Sequence, residues 1–157
     1  MIQRTAIRAV VLDERRDILL IQGRVPDTGE ALWMTPGGGL EDGEAHSDCL
    51  LRELFEETGH QAATHERLVW TRRHQFLFNG QHYDQTEYFY LVPAPRFDPT
   101  NANNPAAHEL EGFLQFRWWS LDDIAASRDT FVPGQLAHWL HQLEQDPQPH
   151  PVDVSGP

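Results

Sequence analysis

The stretch Gly37–His60, GGGLEDGEAHSDCLLRELFEETGH, constrains the fold more than any other part of the chain. It places seven carboxylates (Glu41, Asp42, Glu44, Asp48, Glu53, Glu56 and Glu57) in a segment with a glycine-rich entrance and a helical body. Ser47 is a good N-cap type, so the helix is expected to begin near His46 or Ser47. Gly59 sits where a C′ residue with positive φ is wanted, so the helix should stop there. On a wheel of about 100° per residue, Leu50, Leu51, Leu54 and Phe55 share one arc of about 140°. Glu53, Glu56 and Glu57 share a second arc of about 100°. One face is therefore a core face and the other a carboxylate cluster. Glu53 and Glu57 are i,i+4 neighbours of like charge, which weakens an isolated helix by roughly a few tenths of a kcal/mol. Arg52 lies four residues before Glu56 and can pair with it, but one Arg cannot neutralise three Glu.

Three converging carboxylates make a poor surface and a good site for a hard divalent cation. Oxygen ligands suit Mg²⁺ or Mn²⁺, whereas Zn²⁺ would want His or Cys. Gly37, Gly38 and Gly39 let backbone approach a metal or phosphate closely. A solvated acidic face is the ordinary alternative for such a helix. What overturns it is the register. From Gly38 the chain reads G-x₅-E-x₇-R-E-L-x-E-E-x-G, with Gly38, Glu44, Arg52, Glu53, Leu54, Glu56, Glu57 and Gly59 at fixed spacing. This pattern resembles the Nudix box of the Nudix hydrolases. His60 departs from it, standing where the family carries an aliphatic residue.

The resemblance implies an α/β (α+β) fold: an α/β/α sandwich with a central mixed sheet. It implies metal-assisted attack of water on the diphosphate linkage of a nucleoside diphosphate derivative. Glu53, Glu56 and Glu57 are then implied metal ligands, with Glu53 a candidate base and Arg52 orienting the carboxylates. Glu44 and the Gly37 carbonyl are implied to lie near the metals, which would be Mg²⁺ or Mn²⁺. Many members of the family recruit a further carboxylate from a downstream loop, for which Glu109, Glu111 and Glu87 are candidates. Features associated with ADP-ribose or dinucleotide cleavage are missing at His74–Phe78, leaving a MutT-like single domain and a nucleoside triphosphate as the leading substrate. Nucleotide-sugar, ADP-ribose or dinucleotide cleavage is one alternative, and a non-catalytic nucleotide sensor is another. A prenyl diphosphate isomerase would want a Cys outside the helix, and the single Cys is Cys49.

Away from this segment the chain reads as one domain over residues 1–145, with a Pro-rich tail at 146–157. Strands are expected at Thr5–Leu12, at ILLIQG and at FLQFRWWSL, and a hairpin around Asn79-Gly80. Ser120 caps a short helix, and Leu136, Trp139, Leu140 and Leu143 make the next one amphipathic. Tyr83, Gln85 and Glu87 share one strand face and are candidate substrate-binding residues. Arg24 is a candidate phosphate contact, and Trp33 a weak base-stacking one. His138 and His141 share a helix without a third ligand and read as surface residues. Cys49 falls on the glutamate side of the wheel and reads as inert.

The charge is −12, from 24 acidic residues against 12 basic ones, all Arg. That argues against a broad nucleic-acid or anionic-membrane footprint. It leaves room for a small anionic nucleotide bridged by cations. No signal core or membrane-length apolar run occurs, so a cytoplasmic monomer or homodimer is expected.

Overall fold

The computed structural model describes residues 1–62, 65, 67–106, 110–145 and 150–156. Strand β1 (Ile2–Leu12) organises it. From Ala6 onward its residues are buried at nearly every position, as a strand covered on both faces requires. Ile7, Ala9 and Val11 join one apolar cluster, and Val10 and Leu12 the other, which is the period-2 alternation of a strand. The first cluster is closed by helix α1 (His46–Thr58) through Cys49, Leu50 and Leu54. The second is closed by α2 (Leu121–Ala126) and α3 (Leu136–Gln145) through Ile124, Leu136 and Leu140. This is the expected sandwich of helices around a mixed sheet.

The other strands are β2 (Ile18–Arg24), β3 (Ala31–Met34), β4 (Gly37–Gly39), β5 (Leu68–Phe78), β6 (Gln81–Pro93), β7 (Phe113–Trp119), β8 (Phe131–Val132) and β9 (Val152–Asp153). Their order is β8-β3-β2-β1-β6-β5-β9, with β4 on β1 and β7 on β2. β1 and β2 make the expected antiparallel hairpin, but their pairing is confined to Leu12↔Ile18. Beyond it they splay. β4 occupies the freed edge of β1 at Ala6–Arg8, and β3 that of β2. β1 instead pairs in parallel with β6 along its whole length, from Ile2↔Tyr83 to Leu12↔Pro93. That pairing explains why the strand starts at Ile2 and not at Thr5.

Asn79 and Gly80 both take positive φ at the tip of the β5–β6 hairpin, as their sequence predicts. Ser120 accepts from the Asp123 N–H and caps α2. Gly59 closes α1 in the left-handed conformation, its N–H donating to the Phe55 carbonyl at 2.8 Å. At the other end the cap is Ala45, without a side-chain bond, and not Ser47. The Glu44–Arg52 contact described below anchors that entrance instead. His60 stacks on Phe97 (4.6 Å between centroids), so a ring contact replaces the aliphatic one. Within the segment expected as a tail, Val152–Asp153 pairs with Trp70–Thr71 of β5, and Val154 is buried. Among the described residues no helix is long and apolar enough to cross a membrane.

Candidate active site

Gly38 lies directly against the helix: a Cβ there would fall 2.6 Å from the Glu53 carboxylate. Only glycine lets β4 pass that close. Gly37 sits at φ +145°, and a Cβ on it would run into the Ile7 carbonyl. Its N–H donates to Glu57 Oε2 at 2.9 Å.

Arg52 organises the rest. Its Nε and Nη2 donate to the two Glu44 oxygens, both at 2.9 Å, a bidentate pair. Its Nη1 donates to Glu53 Oε1 at 3.0 Å and stands 3.5 Å from Glu56 Oε2. The expected i,i+4 pairing with Glu56 is thus the longest of the three contacts. The Arg52 hydrogen bond is the main cause that lowers the Glu44 pKa from 4.5 to about 2. A carboxylate with a depressed folded-state pKa stabilises fully above its ordinary value and loses that contribution as pH falls through the folded one. Between pH 4.5 and about 2, wild type should therefore lose stability more steeply than Glu44→Gln, as acid titration followed by circular dichroism would register. Cys49 is fully buried on the glutamate side, where its thiol accepts from Arg52 Nη2 at 3.8 Å. Burial, then the Glu44 charge, pushes its thiol up to about 12, which makes it inert.

A second set of charges lies on the sheet. Glu87, 3% exposed, accepts from Arg8 Nε at 2.8 Å and from Arg72 Nη1 at 2.6 Å. Burial would raise its pKa, but Arg8 and Arg72 outweigh that and hold it below the usual carboxylate range. His74 Nε2 lies 3.5 Å from Glu87, and burial, then Arg72, lowers its pKa to about 4, so it is neutral at pH 7. Arg8 Nη1 also donates to the Gly37 carbonyl at 3.0 Å. One residue therefore touches both sets: the Gly37 N–H meets an acidic helix residue and the Gly37 carbonyl meets an arginine of the sheet.

Gln85 is buried and accepts from Arg4 at 3.0 Å, and Tyr83 stacks on Phe76. Gln85 and Glu87 thus meet this cationic floor, whereas Tyr83 is part-exposed beside Phe76. Arg24 Nη1 bonds the Gly29 carbonyl, and its N–H bonds the Gly112 carbonyl beside Glu111, which is exposed in the turn before β7. Glu109 lies outside the described residues. Trp33 is core: it is buried, donates to Asp129 and packs edge-on against Trp119. His138 and His141 are exposed. Sequence reading missed Arg8 and Arg72. Their signal was the alternation that puts Arg4 and Arg8, and Arg72 and His74, on one face of their strands.

For a divalent cation the available donors are carboxylates and a carbonyl, which fit a hard ion by chemistry. Among the described residues the carboxylates are not already gathered as a three-ligand cluster. Arg52 and the Gly37 N–H hold their oxygens instead.

A NUDIX domain family model matches residues 2–140. The RNA pyrophosphohydrolase of Erythrobacter litoralis is 27% identical over 126 residues, covering 73% of this chain and 75% of that protein. A putative 8-oxo-dGTP diphosphatase of Bacillus subtilis is 37% identical over 68 residues, 43% of this chain and 42% of its own length. A solved structure of a MutT NUDIX hydrolase from Burkholderia pseudomallei superposes with a TM-score of 0.65 at 25% identity, over 91% of this chain and 99% of that one. The chain belongs to the NUDIX family and is a hydrolase acting on diphosphate bonds. The family generally uses divalent metal ions.

Proposed function

We propose that this hydrolase is a Mg²⁺-dependent pyrophosphohydrolase of a nucleoside triphosphate or a related nucleoside diphosphate derivative. The observation that carries the reading is Gly37, whose N–H donates to the acidic helix and whose carbonyl accepts from the cationic floor. Glu53, Glu56 and Glu57, with Glu44 and the Gly37 carbonyl nearby, would hold the metal. Bound there, a divalent cation supplies charge screening for the phosphates and acidification of water. Glu53 takes the proton from the attacking water, and Arg52 sets the position of that carboxylate. Arg8 and Arg72 bind the phosphate chain from the sheet side. This division lets a chain of net charge −12 accept a polyanion.

A screen of nucleotides, nucleotide sugars and dinucleotides with Mg²⁺ or Mn²⁺, with products identified, tests the proposal. No release of phosphate or pyrophosphate from any member would overturn it. Mg²⁺ alone should also raise Tm. At a hundredfold excess over Kd, linkage gives about 2.7 kcal/mol, or roughly 5–10 °C for a domain of this size. A Tm indifferent to Mg²⁺ would count against the carboxylates as its site.

A second reading, release of pyrophosphate from an RNA, is favoured by the name of the Erythrobacter relative. The excess of acidic over basic residues weighs against a long polyanion. Including such an RNA in the screen separates the two, since a preference of kcat/KM for RNA over the free triphosphate would select it.

A further inference from the structure

Along β5 and β6 the side chains of one sheet face change character in order, from buried to part-exposed. Trp70 and Phe89 belong to the core. Next come Arg72 and Glu87, then His74 and Gln85, then Phe76 and Tyr83, each pair cross-strand partners in the register. Arg4 of β1 joins the third step by donating to Gln85. The charged step is the one that contacts Gly37 through Arg8. The Phe76–Tyr83 step lies four residues farther along β6, about 13 Å at ~3.3 Å per residue. Moving away from the reaction centre, a ligand therefore meets arginines, then hydrogen-bonding groups, then aromatic rings.

Phe76 and Tyr83 are near-parallel across the ladder at 5.3 Å, and the His74 ring, two residues along β5, lies near-parallel to Phe76 at 4.7 Å. Both Phe76 and Tyr83 keep part of their surface exposed. The loop between β2 and β3 reaches the same end of the sheet: Asp27 accepts from the Asn79 and Gly80 N–H groups at 2.6 and 2.9 Å. That tie holds the loop at the hairpin tip, three residues along the strands from the rings.

We propose that Phe76 and Tyr83 form the base-stacking subsite, so that the substrate is a nucleotide held by its base at the hairpin and by its phosphates at Arg8 and Arg72. This rests on the pyrophosphohydrolase reading for the phosphate end. A cross-strand aromatic pair can also serve the hairpin alone. The two roles differ in what they do to KM.

The test compares wild type with Phe76→Leu, which keeps apolar bulk, and with Phe76→Trp, which keeps a stacking ring. Each is assayed on the best nucleotide from the screen and on phosphoribosyl pyrophosphate, a diphosphate without a base. Phe76→Leu should raise KM for the nucleotide between about 5-fold and about 150-fold, the range for loss of a base–aromatic stack. Its kcat should hold, its KM for the base-free substrate should not move, and Phe76→Trp should recover the wild-type KM. Equal effects on both substrates, or no effect on nucleotide KM, would overturn the subsite. Calorimetric binding of a non-hydrolysable methylene analogue of the same nucleotide keeps the two proposals apart. Tight binding that Phe76→Leu weakens, without turnover of any nucleotide, would retain the subsite and overturn the hydrolytic reading. Binding of the analogue no tighter than methylene diphosphonate would overturn the subsite while leaving hydrolysis intact.

Discussion

Glu57→Gln should lower kcat by on the order of a thousandfold or more, the scale reached when charge made for the transition state is removed. The fold should survive. Glu57 meets β4 by accepting the Gly37 N–H, and a glutamine oxygen accepts it equally well. The change also removes the i,i+4 repulsion with Glu53, so the metal-free Tm should hold or rise slightly. What should vanish is the Tm increment with Mg²⁺. Glu53→Gln is the instructive contrast. Its carboxylate accepts a charged bond from Arg52 and is buried, so that variant should lose stability as well as rate. Steady-state kinetics and melting curves with and without Mg²⁺ check both. A Glu57→Gln variant with wild-type kcat would remove Glu57 from the site.

The acidic half of the candidate site was legible because it is local. Gly38, Glu44, Arg52 and Glu57 lie within one helix and its entrance, where register alone brings them together. The cationic half was not, because its contacts are long-range: Arg8 and Glu87 are 79 positions apart. They meet only through the parallel β1–β6 pairing, and the short-range hairpin signal between β1 and β2 points elsewhere. The same limit explains Trp33. Its ring fits a base-stacking role in isolation, but its partners Trp119 and Asp129 come from the far end of the chain. Residues 152–154 were overlooked for another reason. Prolines dominate the composition around them, while the short Val-Asp-Val alternation is what β5 selects. The box helix, its glycine stop and the Asn79-Gly80 turn were read correctly from local geometry.

Glu87→Gln should produce the largest loss of stability of any single change on the sheet face. Arg8 and Arg72 both bond this carboxylate, and both are mostly buried, at 15% and 12% side-chain exposure. The cluster is already short of acceptors, since Arg72 Nε is buried without a hydrogen-bond partner among the described residues. Removing the anion leaves two cations facing each other in a poorly hydrated site. Breaking a buried pair in this way costs about 3–5 kcal/mol, which at roughly 2–4 °C per kcal/mol is a Tm fall of about 6–20 °C. Arg72→Met should cost less, because Arg8 and Glu87 still neutralise each other. Adding Arg72→Met to Glu87→Gln should recover part of the lost Tm, since it removes one of the stranded charges. Melting of the four proteins in the cycle measures the coupling directly. Strict additivity would mean that Glu87 and Arg72 act independently, and the floor would then not be the charge-balanced unit to which the phosphate chain has been assigned. Recovery in the double variant would show that Glu87 holds the arginines in place, as the phosphate contact proposed for them requires.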